Sequence, residues 1–88
     1  MKIFLVVHEF FGDDYYTEAS VITAHTTYEN AVKAMNKYAD DIVSGDFDEF
    51  IDKGDYEIVS NSDYQIRLYA EKKYNEAVLT IQETELVD

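Results

Sequence analysis

From Thr26 to Gly45 the apolar positions of the chain recur at steps of three and four. Tyr28, Ala31, Val32, Met35, Tyr38, Ala39, Ile42 and Val43 therefore stack along one side of a helix of about 3.6 residues per turn, and that side must find cover. Thr26 followed by Glu29 has the spacing of a capping box, in which hydroxyl and carboxylate satisfy backbone donors at the helix start. Gly45 supplies the left-handed stop at the other end.

On either side of this segment the period drops to two, the signature of strands. Ile3, Leu5 and Val7 alternate with Phe4, Val6 and His8, and both sets are largely apolar, which predicts a central strand covered on both faces. Gly12-Asp13-Asp14 reads as a turn into a second strand from Thr17 to Ala24, so the first hairpin carries an acidic, aromatic loop with Tyr15 and Tyr16. After Gly45 the helix grammar recurs in miniature: Asp46 caps, Glu49 holds the box position, Phe47, Phe50 and Ile51 share a face and Gly54 terminates. Three more strands follow, Asp55–Ser60, Tyr64–Ala70 and Ala77 to about Leu86, divided by the turn Asn61-Ser62-Asp63 and a charged turn from Glu71 to Glu76. In the middle one Tyr64, Ile66, Leu68 and Ala70 face one way and Gln65, Arg67 and Tyr69 the other, as in a sheet with one dry side. The expectation is an α+β fold of ββαβββ order: an antiparallel β-sheet of four to five strands, one main helix packed on one face, and a short second helix. Residues 1–88 make a single domain, since a chain of 88 residues encloses one core.

Composition narrows the chemistry. With no cysteine there is neither a thiol nucleophile nor a thiolate metal site, and nothing opposes a reducing compartment. The opening Met1-Lys2-Ile3-Phe4-Leu5-Val6-Val7 runs into His8 and Glu9 and reads as a strand, not a signal peptide. No apolar run approaches the roughly 20 residues that span a bilayer, so no membrane segment and a cytoplasmic location are expected. Nucleophilic catalysis has only His8 and His25 to draw on as imidazole bases, and no Gly-x-Ser-x-Gly turn is present. Frames of the calcium-binding loop built on Gly45 or Gly54 put isoleucine at ligand positions, and zinc spacing is absent. A non-enzymatic protein without cofactor or metal is expected.

Charge is the outlier. Nineteen acidic against seven basic residues give a net charge of −12, while a 47% hydrophobic and 15% aromatic composition argues for a folded chain rather than a disordered acidic one. Such a body repels nucleic acid and anionic lipid and is drawn over long range to basic surfaces. Direct nucleic-acid binding is not expected, because Lys72 and Lys73 are the only adjacent cations and Glu71 and Glu76 flank them. The acids concentrate between residues 40 and 57, where Asp40, Asp41, Asp46, Asp48, Glu49, Asp52, Asp55 and Glu57 face the single Lys53. Asp13 and Asp14, beside Tyr15 and Tyr16, form a second group. Carboxylates three and four apart on a helix lie about 5–6 Å from one another, close enough together to fill basic pockets shaped for the phosphates of a nucleic acid. Tyr15, Tyr16, Phe47, Phe50 and Tyr56 sit among these acids as candidate apolar anchors, with core packing the simpler role for Phe47 and Phe50.

In its size, its Met1-Lys2-Ile3-Phe4 entry into a strand, its acidic balance and its closing Ile81-Gln82-Glu83-Thr84-Glu85-Leu86, the chain resembles small acidic proteins of phages and prophages, among them anti-CRISPR and other anti-defence inhibitors. That resemblance implies a stoichiometric inhibitor in a bacterial host cell, a DNA mimic that binds the basic nucleic-acid site of a CRISPR effector or another nucleic-acid enzyme. The alternative is a small structural or accessory homodimer that pairs through the open face of the sheet.

Overall fold

The computed structural model describes residues 1–11, 19–45, 54–71 and 75–86. They form β1 (Lys2–Phe11), β2 (Ser20–His25), α1 (Tyr28–Ser44), β3 (Glu57–Asn61), β4 (Gln65–Ala70) and β5 (Asn75–Glu85). The five strands make one sheet of order β2-β1-β5-β4-β3 in which every pairing is antiparallel. The α+β class and the ββαβββ order are as the sequence predicts. The short second helix expected at residues 46–53 and the first hairpin's loop at 12–18 lie outside the described residues.

The first and last strands meet in the middle of the sheet and pair from Lys2↔Glu85 to Phe11↔Glu76. Because the β5 partner continues to Asn75, β1 runs on through Phe10 and Phe11, and the charged turn before β5 is shorter than the expected Glu71–Glu76. At the opposite limit the Leu86 N–H donates to the Met1 carbonyl at 2.8 Å, and the amino terminus pairs with Glu85 at 2.9 Å.

One face of the sheet meets α1. Ala31, Met35, Ala39 and Ile42 are the helix residues that disappear from solvent, against Val6 of β1, Ile66, Leu68 and Ala70 of β4, and Ala77 and Leu79 of β5. The alternation that assigned Ile66, Leu68 and Ala70 to one side and Gln65, Arg67 and Tyr69 to the other is the observed one. Phe4, Phe10, Ile22, Tyr38, Val43 and Ile81 pack around the margin of this core. In β2 the register slips opposite Val6 and Val7, a bulge that adds a residue where Ile22 joins the core margin.

β1 is internal to the sheet, and among the described residues α1 covers one of its faces while its second apolar set, Ile3, Leu5 and Val7, lies on the other. Val7 on that second face is only 3% exposed, in a row between Val21 and Thr80. One expectation needs correction, at the helix start. Thr27, not Thr26, is the N-cap: its backbone is extended and its hydroxyl accepts from the Asn30 N–H at 3.2 Å. Glu29 falls in the first turn, where its charge suits the positive end of the helix, and the expected reciprocal box is not formed. Gly45 does close the helix, at φ 82°, with its N–H shared between the Asp41 and Ile42 carbonyls.

Thr27→Ala is therefore expected to cost about 1 kcal/mol in denaturant unfolding, whereas Thr26→Ala should leave the midpoint nearly unchanged; the reverse order would return the cap to Thr26.

Candidate partner-binding surface

The topology gives the molecule two unlike ends. At one end lie Phe11 of β1, the carboxyl end of α1, the start of β3, the close of β4 and the start of β5. The Gly54 N–H, which donates to the Val43 carbonyl at 3.2 Å, and the Phe10–Tyr56 ring pair, at 6.2 Å between centroids, tie these pieces together. The described chain leaves and re-enters three times, after Phe11, Gly45 and Glu71, each time at this end. At the other end the β3–β4 turn is closed by Ser62, whose N–H donates to the Gln65 carbonyl at 2.8 Å, and Tyr28 at the helix start donates its hydroxyl to the Asp63 carbonyl.

Of the acids singled out in the sequence, Asp40, Asp41, Asp55 and Glu57 are described. Asp40 and Asp41 stand near the carboxyl end of α1, where unpaired carbonyls already carry negative charge and no basic residue occupies the last turn. Lys37, one turn earlier, reaches Asp41 at 3.0 Å, and Asp40 stays exposed. Asp55 follows Gly54 at the same end. Glu57 shares that end but sits opposite Tyr69, so its side chain is on the open sheet face, away from the helix. Asp13, Asp14, Tyr15, Tyr16, Asp46, Asp48, Glu49 and Asp52, with Phe47 and Phe50, lie outside the described residues. The segments that bear them join the described chain at this end, as does the segment with Lys72 and Lys73. Tyr56 is corrected from anchor to core: it is 1% exposed and packs on Phe10.

The open face carries residues that strand patterning alone does not bring together. Register places Phe11, Glu76, Tyr69 and Glu57 side by side across β1, β5, β4 and β3. Behind this row lie Glu9, Val78, Arg67 and Ser60. Directly opposed residues in antiparallel strands share a face, with Cβ atoms about 4.5–5.5 Å apart. The Arg67 guanidinium donates from Nη1 to Glu76 Oε1 at 2.8 Å and from Nε to Gln65 Oε1 at 3.4 Å. Glu9, Phe11, Gln65, Arg67, Glu76, Val78 and Thr80 border an open groove of about 270 Å³. Alternation in each strand was legible in the sequence. The pairing register that aligns Glu76 with Tyr69 and Phe11 was not, because it depends on which strands are neighbours.

The two imidazoles do not meet. His8 pairs with Ser20 and His25 with Phe4, which separates them by four residues along β1, roughly 13 Å at strand rise. His25 Nε2 lies 2.9 Å from Thr23 Oγ1. Burial beside Phe10 lowers the His8 pKa from its ordinary 6.5. Among the described residues no three histidine or carboxylate side chains are grouped as metal ligands are, and no helix is long and apolar enough to cross a membrane. No family model matches the chain, and no match is found among curated proteins or solved structures.

Two measurements follow from these environments. Below about pH 6.5 the unfolded chain takes up a proton at His8 that the folded chain resists, so stability is lost as pH falls. Urea midpoints between pH 7.5 and 5.5 should drop further for the wild type than for His8→Gln, and equal slopes would deny the burial effect. Neutralising the exposed carboxylate at the negative end of α1 has the opposite sign: Asp40→Asn should raise stability by about 0.3–1 kcal/mol at low salt, an increment that high salt should erase.

Proposed function

We propose that this chain is a non-enzymatic binding protein whose acidic end occupies the nucleic-acid-binding site of a basic partner protein and so inhibits it. The observation that carries the reading is the placement of Asp40 and Asp41 at the carboxyl end of α1, where they lower helix stability and no lysine or arginine follows in the last turn. A chain selected for stability alone would place cations there. Asp55, Glu57 and Glu76 lie at the same end, and so do the points where the acid-rich segments join. At the opposite end the amino terminus pairs with Glu85 and Lys2 with Glu83 at 3.0 Å; at this end Lys37 pairs with Asp41 and Arg67 with Glu76, and Asp40 and Glu57 have no ion-pair partner among the described residues. A partner groove built for phosphates supplies the missing cations and releases counterions when it binds, as it does with its own ligand. The resemblance to phage and prophage anti-defence proteins points to a CRISPR effector or another nucleic-acid-dependent defence enzyme as the partner class, in a bacterial cytoplasm.

Pairing of two copies through the open sheet face is the second reading, favoured by exposed Phe11 and Tyr69 on that face. Glu9, Glu57, Arg67, Gln65 and Gln82 on the same surface, and a charge of −12 on each copy, weigh against it.

The test is competition. Immobilised protein incubated with bacterial lysate should retain nucleic-acid-binding proteins that are released both by duplex DNA and by a rise from 50 to about 200 mM salt. Joint replacement of Asp40, Asp41, Asp46, Asp48, Glu49 and Asp52 by their amides should abolish retention while the circular dichroism of the fold persists. Retention by that folded variant, or proteins that DNA fails to release, would remove the proposal.

A further inference from the structure

From the open face we infer a second element of recognition: the row Phe11, Glu76, Tyr69 and Glu57, with Glu9 behind it, is a docking surface for an arginine-bearing segment of the basic partner. It belongs to the binding end proposed above and rests on that reading of function. The row alternates ring, carboxylate, ring, carboxylate across four neighbouring strands, a span of roughly 14 Å at the usual strand spacing. Phe11 is 43% exposed and Tyr69 37%, so both rings present surface to solvent although they stand on a sheet.

A guanidinium is the cation that such a row suits. It is planar, stacks on an aromatic face and forks two N–H groups onto a carboxylate, whereas an ammonium is a strongly hydrated point charge that gains less from the rings. Arg67 already sets one guanidinium N–H on this surface's Glu76, Nη1 to Oε1 at 2.8 Å. It neutralises one carboxylate only. Glu9 and Glu57 have no ion-pair partner among the described residues, and those residues leave the surface a negative balance around Arg67. Thr80 Oγ1, buried at the groove, is a further polar group without a hydrogen-bond partner there.

The same charges decide between occupants. An anionic ligand would meet Glu9 and Glu76 beside Arg67, which already has a carboxylate. A second copy would bring an identical glutamate row against this one, since a twofold interface is self-complementary. An arginine segment meets one like charge among the described residues of this surface, Arg67, against the three carboxylates of Glu9, Glu57 and Glu76, and it extends the attraction that steers a basic partner toward this end.

The experiment titrates the isotope-labelled full chain with two octapeptides of equal charge, one alternating glycine with arginine and the other glycine with lysine. Amide shifts should concentrate on Glu9, Phe11, Arg67, Tyr69, Glu76 and Val78, and the arginine peptide should bind about three- to fivefold more tightly. Phe11→Ala with Tyr69→Ala should erase that preference, and Glu9→Gln with Glu57→Gln should weaken both peptides. The milder Phe11→Leu with Tyr69→Leu keeps apolar area if the alanine pair unfolds, and it too should lose the preference. Equal affinity for the two peptides, shifts confined to other surfaces, or a doubled mass in place of peptide binding would overturn the inference. A chain that ignores the arginine peptide yet still loses its captured proteins to duplex DNA refutes this surface and leaves the proposed function intact.

Discussion

Everything in this molecule hangs on one buried contact, the stripe Ala31, Met35, Ala39 and Ile42 of α1 laid across Val6, Ile66, Leu68 and Leu79 of the sheet. The described residues gather into this one core, and with no cysteine in the sequence there is no disulfide to restrain the unfolded state. Each residue of that contact is at most 1% exposed, so each contributes close to its full transfer free energy. Small residues, Ala31 and Ala39, alternate with Met35 and Ile42, which lets the helix lie close to the strands while the larger side chains fill the space between. With the helix fixed, its carboxyl end is fixed too, and that sets where the charged end of the molecule lies.

Against this attraction stands self-repulsion. A net charge of −12 on so small a body opposes compaction, most of all where acids gather at the negative pole of a helix. The described ion pairs are all on the surface, where each contributes at most about 1 kcal/mol. They do not offset the repulsion. The fold tolerates its charge because the apolar layer is continuous and because the charged groups of the described residues lie outside it. Among the described residues the buried set contains no charged or polar residue class.

The helix and the strand faces were legible in the sequence because each rests on a local period that burial enforces. Ile66, Leu68 and Ala70 announce the dry side of β4 without reference to anything else, and Gly45 announces the helix stop. The helix start was misplaced by one residue, since Thr26 and Thr27 offer the same hydroxyl and only the backbone conformation chooses between them. Tyr56 was misjudged because its acidic neighbours suggested exposure, whereas alternation after Gly54 turns it toward Phe10. The row of Phe11, Glu76, Tyr69 and Glu57 was beyond reach for a different reason: its members are far apart in the chain and meet only through the sheet order β2-β1-β5-β4-β3.

The hydrogen bond from Leu86 to Met1 and the pairing of the amino terminus with Glu85 have a practical side. They bring residues 1 and 86 together at the pole remote from Phe11, so a fluorophore, a surface tether or a fused domain attached there stands clear of the face at issue. Immobilised in this way, every copy on a sensor chip would present the same hemisphere outward, and steric shielding by the support would fall on the sheet's quiet end.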